Sequence, residues 1–224
     1  MSLEKKEMME CPYCKKLGEF TKWESINTVL NPDAKAALIS GELFAFKCPH
    51  CEKVSPVSYE LLYHDMPKQL MIHFVMSEKS AEEAMKSFKE MTEGKLSKLP
   101  QLSQAKFTFR IVSSMNELRE KAFVFDMNLD DRVIELMKVM LVTQLRNEVP
   151  DKLPFNIYLD LRNNEPETFL VEYTDGTWGN INVPHGTYNR VKDMFIKPQD
   201  DGRNEYFVNG KWAFDFLQKN LPQE

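Results

Sequence analysis

Apolar positions along this chain change their period several times, and each change marks an element. Around Trp23 and Ile26 the pattern reads as extended chain over residues 20–30. Asn31-Pro32-Asp33 then places an N-cap before a proline at the first helical position, and Gly41 supplies the left-handed stop of a helix over residues 32–40. An aromatic strand over 43–47 and a β-branched run over 54–63 flank Cys48-Pro49-His50-Cys51, which predicts a hairpin with that tetrapeptide at its tip. Residues 70–76 read as a further strand. Helical spacing takes over at Ser80-Ala81-Glu82-Glu83, with Ala84, Phe88 and Met91 following on one face, and residues 96–104 read as a connector.

Beyond the connector, Phe107, Phe109 and Ile111 alternate, predicting a half-buried strand over 106–112. A helix from Met115 carries Leu118, Ala122 and Phe125 on one face. Residues 128–131 cap a longer helix over 132–147 that buries Val133, Met137, Met140, Leu141 and Leu145 and turns Arg132, Glu135, Lys138 and Arg146 outward. Strand signals return over 156–161, 169–173 and 178–183, with Asp175-Gly176 as a hairpin turn. A short helix is expected over 187–195, and Asn209-Gly210 leads into a terminal helix around Trp212, Phe216 and Leu217.

Composition narrows the classes. With 224 residues, 42% of them hydrophobic, the chain can bury a core and build one large or two small domains. Eight glycines leave little material for phosphate-cradling loops, and neither GxGxxG nor GxxxxGKS occurs. The formal net charge of −5 argues against a general nucleic-acid or anionic-membrane binder. The first ten residues hold no apolar run, so no secretory signal is read there, and residues 133–145 are too short and too interrupted to span a bilayer. The expected location is cytoplasmic.

In a reducing cytosol, four cysteines arranged as Cys11-Pro12-Tyr13-Cys14 and Cys48-Pro49-His50-Cys51 point to metal ligation before disulfides. A CxxC turn aims two sulfurs at one point, and two such turns supply the four thiolates of a closed structural zinc site. Buried thiol pairs or a redox dithiol are the alternatives, but a redox CxxC normally stands alone. His50 is read as a structural or exposed imidazole, because four thiols already complete the set. Turns of this kind often need a positive φ after the second cysteine, where this chain has Lys15 and Glu52, not glycine. That costs about 1–2 kcal/mol each, small beside the roughly 10–16 kcal/mol of zinc binding in small peptides.

The two CPxC pairs, Trp23 with Ser25-Ile26-Asn27, Asn31-Pro32, residues 41–44 (GELF) and residues 61–65 (LLYHD) together resemble the CpXC family of bacterial proteins. Residues 110–112 (RIV), Glu117-Leu118 with Glu120-Lys121, and residues 129–136 (LDDRVIEL) extend the resemblance over most of residues 8–145. It implies a zinc-binding domain without an assigned reaction. Cys11, Cys14, Cys48 and Cys51 are carried over as ligands and nothing catalytic is.

Other constellations weigh less. His64 beside Asp65 could be a base with its orienting partner, but neighbours in a strand face opposite ways, and a structural contact is favoured. Asp130, Asp131 and Glu135, with Glu117 and Glu120 upstream, could gather a divalent cation for hydrolysis; helix capping and surface pairing is the favoured account. Asp160 with Glu172 lacks the basic residue a nuclease would place where Thr174 stands. Residues 1–60 carry eight Lys against nine Asp and Glu, and a zinc tetrathiolate adds −2, so the cysteine module itself lacks the charge to hold phosphates.

The fold class expected is α+β: a zinc-ribbon-like β domain with an inserted helix over 1–76, a helix and connector over 77–105, and a mixed helix and antiparallel-sheet domain over 106–224. The expected function is a cytosolic protein-interaction or regulatory module with one structural Zn2+ per chain, more a binding protein than an enzyme. Its partner is a protein, with homo-oligomerisation open and a membrane excluded. The alternative is a hydrolase with an acidic site in the second domain or the cleft between domains; a nucleic-acid-binding zinc ribbon ranks last.

Overall fold

The computed structural model describes residues 2–93, 107–162, 165–203 and 205–220. The expected connector over 96–104, and Lys106, lie outside them. The architecture is α+β, and packing divides the chain into two units, residues 1–122 and 123–224. This division falls later than the boundary expected between 76 and 105, because the strand after the connector completes the N-terminal sheet.

That sheet has five strands in the order β1-β2-β5-β6-β7. β1 (Leu3–Glu10) and β2 (Leu17–Asn27) form an antiparallel hairpin. β2 pairs in parallel with β5 (Leu61–Asp65), β5 antiparallel with β6 (Leu70–Phe74), and β6 in parallel with β7 (Thr108–Val112). Between β2 and β5 come α1 (Pro32–Ser40), a 3-10 turn (Glu42–Phe44) and a second hairpin, β3 (Ala45–Lys47) with β4 (Val54–Pro56). α2 (Glu78–Thr92) connects β6 towards β7 and packs on it. The last element to begin in this unit is α3 (Met115–Asp126).

β1 is absent from the sequence-based prediction for a physical reason. Seven of its eight residues are exposed, so it has no apolar alternation to read and is held by the ladder with β2 and by ion pairs Lys5–Glu24 and Lys6–Glu19. The run over 54–63 is two strands in different sheets, with β4 ending at Pro56, which has no N–H for further ladder pairing. β7 is not half-buried: Phe109, Arg110, Ile111 and Val112 are all inside. α1 starts and stops as expected, but Asn31 makes no side-chain capping bond. Gly41 closes α1 at φ +90°, and Arg119 of α3 donates through Nε and Nη2 to the Ile39 carbonyl at 3.2 and 2.9 Å, satisfying a helix-end acceptor.

The C-terminal unit places α4 (Asp131–Glu148) against a three-stranded antiparallel sheet of β8 (Pro154–Leu159), β9 (Thr168–Tyr173) and β10 (Trp178–Asn182), together with α5 (Thr187–Phe195) and α6 (Gly210–Asn220). Val133, Leu141, Ile157, Phe169, Val171, Val191 and Leu217 belong to one buried cluster. The expected outward face of α4 is corrected: Arg132, Glu135 and Lys138 are buried. Arg132 donates to Asp130 Oδ2 and to the Asp200 carbonyl at 2.7 and 2.8 Å, and Lys138 pairs with Glu135 at 3.1 Å. A buried guanidinium keeps its charge because carboxylates stand against it. Periodicity cannot reveal such pairing, since Asp200 is far along the chain.

Candidate metal centre

Each CPxC tetrapeptide sits at the tip of a hairpin, the first between β1 and β2 and the second between β3 and β4. The two tips are built alike. Lys15 N–H donates to the Cys11 carbonyl and Glu52 N–H to the Cys48 carbonyl, each at 3.0 Å; Cys11 N–H donates to Lys16 O and Cys48 N–H to Lys53 O. To close these turns, Lys15 and Glu52 adopt φ of +61° and +57°, in the left-handed region favouring glycine. The position suspected from sequence is thus the strained one in both turns.

All four sulfurs lie within 4.8 Å of one another. Cys11 Sγ is 3.7 Å from Cys51 Sγ, and Cys14 Sγ is 3.6 Å from Cys48 Sγ. A tetrahedral site with bonds of about 2.3 Å has sulfur–sulfur edges of about 3.8 Å. The cluster therefore has the dimensions of a four-thiolate metal site without rearrangement, and its four donors can hold one metal ion. Cys11 and Cys48 are fully buried, while Cys14 and Cys51 are partly open.

Electrostatics show why a cation suits it. Burial opposes ionisation of Cys11, but the Cys14 and Tyr13 amides and the neighbouring thiols point at its sulfur and bring it down to about 6. Cys48 is also lowered, burial being outweighed by the amides of His50 and Cys51 and the thiol of Cys14. At Cys51 the Lys53 amide favours the thiolate, yet burial and three crowding sulfurs push it up to about 12. Four thiolates at this spacing require a positive charge among them, so loading a metal expels protons.

Residues outside the motif hold the two tips together. His50 Nε2 lies 3.0 Å from the Leu17 carbonyl, so the imidazole ties the second tip to β2 and stands outside the sulfur cluster, as expected. Lys53 Nζ stands 4.7 Å from the centre of the Tyr13 ring, a cation–π contact from the second tip to the first. Gly18 is the residue that sequence reasoning missed. A Cβ there would lie 2.7 Å from Pro49 Cδ and 2.9 Å from Phe46 Cζ, so only glycine lets the hairpins approach this closely. It precedes the extended segment read over 20–30, so no strand pattern in the sequence marked it as a point of close backbone approach.

The other candidates are not assembled into sites. His64 and Asp65 face opposite ways on β5. Asp65 accepts from Tyr63 Oη at 3.1 Å and pairs with Lys35 at 3.2 Å, while the His64 ring tilts against Phe107 and its Nε2 is buried without a hydrogen bond. Burial depresses the His64 pKa. Glu117 caps α3 by accepting from the Ser113 and Ser114 amides, Asp130 caps α4, and Asp160 pairs with Arg162 at 2.7 Å. Asp131 and Glu120 are buried, and Glu172 accepts from Asn156. Among the described residues, none of these carboxylates belongs to a cluster dimensioned for a metal. One further group is, Glu165 with Glu167 and His185, but it is largely exposed, and Glu167 is already engaged by the Gly186 amide and by His185 Nδ1 at 2.6 Å. No helix among the described residues is long and apolar enough to cross a membrane.

Comparison with known proteins adds one finding. The family model described as CpXC protein matches residues 9–138, which spans both cysteine pairs and continues into α4. Neither the comparison with curated proteins nor that with solved structures yields a match.

Proposed function

The chain belongs to the CpXC family, and on that premise we propose that its four cysteines hold one structural Zn2+ in a zinc-ribbon-like module of a cytosolic interaction or regulatory protein. The observation that carries the reading is the pair of sulfur–sulfur distances, 3.6 and 3.7 Å, between two turns of the same construction. Zinc suits the donor set, because four thiolates in a tetrahedral array complete its coordination and leave no position for a substrate. That closure argues for a structural role over a catalytic one.

Cys11, Cys14, Cys48 and Cys51 would bind the ion, amides of Tyr13 and His50 would stabilise the sulfur charge, and Gly18 would permit the approach of the hairpins. Support for an interaction role comes from exposed apolar side chains at the cysteine end: Met8, Tyr13, Leu17 and Val54 are all more than half open to solvent. Their expected occupant is a protein partner, because the acidic chain offers little to a phosphate backbone. Metal analysis of the purified full-length chain should return about one zinc per chain. A folded chain with four reduced thiols and no zinc would refute the proposal.

A further inference from the structure

Resting on the zinc reading above, the geometry points to a redox-exchangeable staple: hydrogen peroxide expels the metal and joins the two hairpins through disulfides Cys14–Cys48 and Cys11–Cys51. The four sulfurs are not equivalent. Cys11 and Cys48 are fully buried, one in each hairpin, whereas Cys14 and Cys51 are partly open. Each accessible sulfur touches the buried sulfur of the other hairpin, Cys14 to Cys48 at 3.6 Å and Cys51 to Cys11 at 3.7 Å. Peroxide is small enough to reach the open member of each pair, and the buried member stands ready to resolve what forms.

The chemistry closes with no further reagent. The thiolate of Cys14 attacks one peroxide oxygen, the O–O bond breaks, hydroxide leaves and a sulfenic acid remains. The Cys48 thiolate then attacks that sulfur, the S–O bond breaks, a second hydroxide leaves and the disulfide forms. Cys51 and Cys11 repeat the sequence with a second peroxide. Four thiolates lose four electrons, two peroxides become four hydroxides, and Zn2+ departs with no sulfur charge left to hold it. The pairing matters because disulfides within Cys11–Cys14 and Cys48–Cys51 would free each hairpin from the other. Disulfides across the pairs keep the tips joined after the metal has gone, so the module changes its staple and keeps its fold.

The test titrates zinc-loaded full-length protein with about two equivalents of hydrogen peroxide per chain, the balance required by the two disulfides. A chromogenic chelator reads released zinc, and non-reducing peptide mapping reads the connectivity. The expected result is release of the zinc with Cys14–Cys48 and Cys11–Cys51 as the dominant links, retained hairpin protection in hydrogen exchange, and reversal by thiol reductant with added zinc. Zinc retained over four reduced thiols, links confined within each CPxC pair, or oxidation running to sulfinic acid would each overturn the inference while leaving the zinc reading intact. A chain isolated without zinc that still forms the two crossed links would sink the zinc reading and leave the pairing standing.

Discussion

In the N-terminal unit, two hairpin tips meet at four converging sulfurs; in the C-terminal unit, α4, α5 and α6 share one apolar cluster with a three-stranded sheet. β1 shows the contrast most sharply, with seven exposed residues of eight, against β9, where Phe169 and Val171 are almost completely enclosed. A strand with nothing to bury needs other sources of order: here the ladder with β2, two ion pairs and a turn that carries two of the cysteines. If the sulfurs hold zinc as proposed, order near the cysteines depends on that ion, whereas order in the C-terminal unit is supplied by its own side chains.

Removing one sulfur should disorder the cysteine end and leave the C-terminal unit intact. Cys48→Ser removes one donor from the proposed zinc site, and zinc binding is worth roughly 10–16 kcal/mol in small zinc peptides. Hydrogen exchange should show loss of protection at the Cys11, Lys15, Cys48 and Glu52 amides, with the amides of α4 and β9 unchanged. Loss in both units together would show that the metal organises more than the tips, and loss in neither would show that the ladder suffices. The converse cut is Phe169→Ala. Phe169 is 0% exposed, and truncating such a ring costs about 3–5 kcal/mol. Denaturant unfolding should register that loss while zinc content stays at the wild-type level.

The same contrast explains what could be read from the chain. The cysteine turns were legible because their chemistry is local: four residues carry the motif, and even the positive φ at Lys15 and Glu52 follows from turn geometry. α1, the Asp175-Gly176 turn and the strands of the C-terminal sheet were legible because their caps and alternation lie within a few residues. What was hidden depends on distant partners. β1 has no pattern of its own, β7 joins β6 across the connector, and Arg132 reads as a solvent-facing residue until Asp200 is placed beside it. Gly18 was visible as a residue but not as a contact, because Pro49 belongs to the other hairpin.

Crowding between the two hairpins probes the cysteine region from within. Gly18→Ala would set a methyl 2.7 Å from Pro49 Cδ, and Phe46 blocks the other side at 2.9 Å. Overpacking of this kind costs about 1–3 kcal/mol. Because the clash lies between the hairpins, the expected reading is a weakened zinc affinity in competition with a chelator, with unfolding of the C-terminal unit unmoved. An unchanged affinity would show that the two tips can part without disturbing the sulfurs.

The smallest effect has the opposite sign and compares the two tips with each other. Lys15 and Glu52 hold nearly the same left-handed φ, so each stores a similar backbone cost of about 1–2 kcal/mol that a glycine would not. Glycine also adds freedom to the unfolded chain, costing about 0.5–1 kcal/mol. Lys15→Gly and Glu52→Gly should therefore each stabilise the zinc-loaded protein by up to about 1.5 kcal/mol, a shift readable in melting temperature, and by similar amounts. Lys16 and Lys53 follow them in the two turns without a positive φ, so glycine at either position should destabilise. Equal gains at positions 15 and 52 with losses at 16 and 53 would establish that the tips are equivalent folding units. A gain at one tip alone would mean that the metal distributes its constraint unevenly between the hairpins.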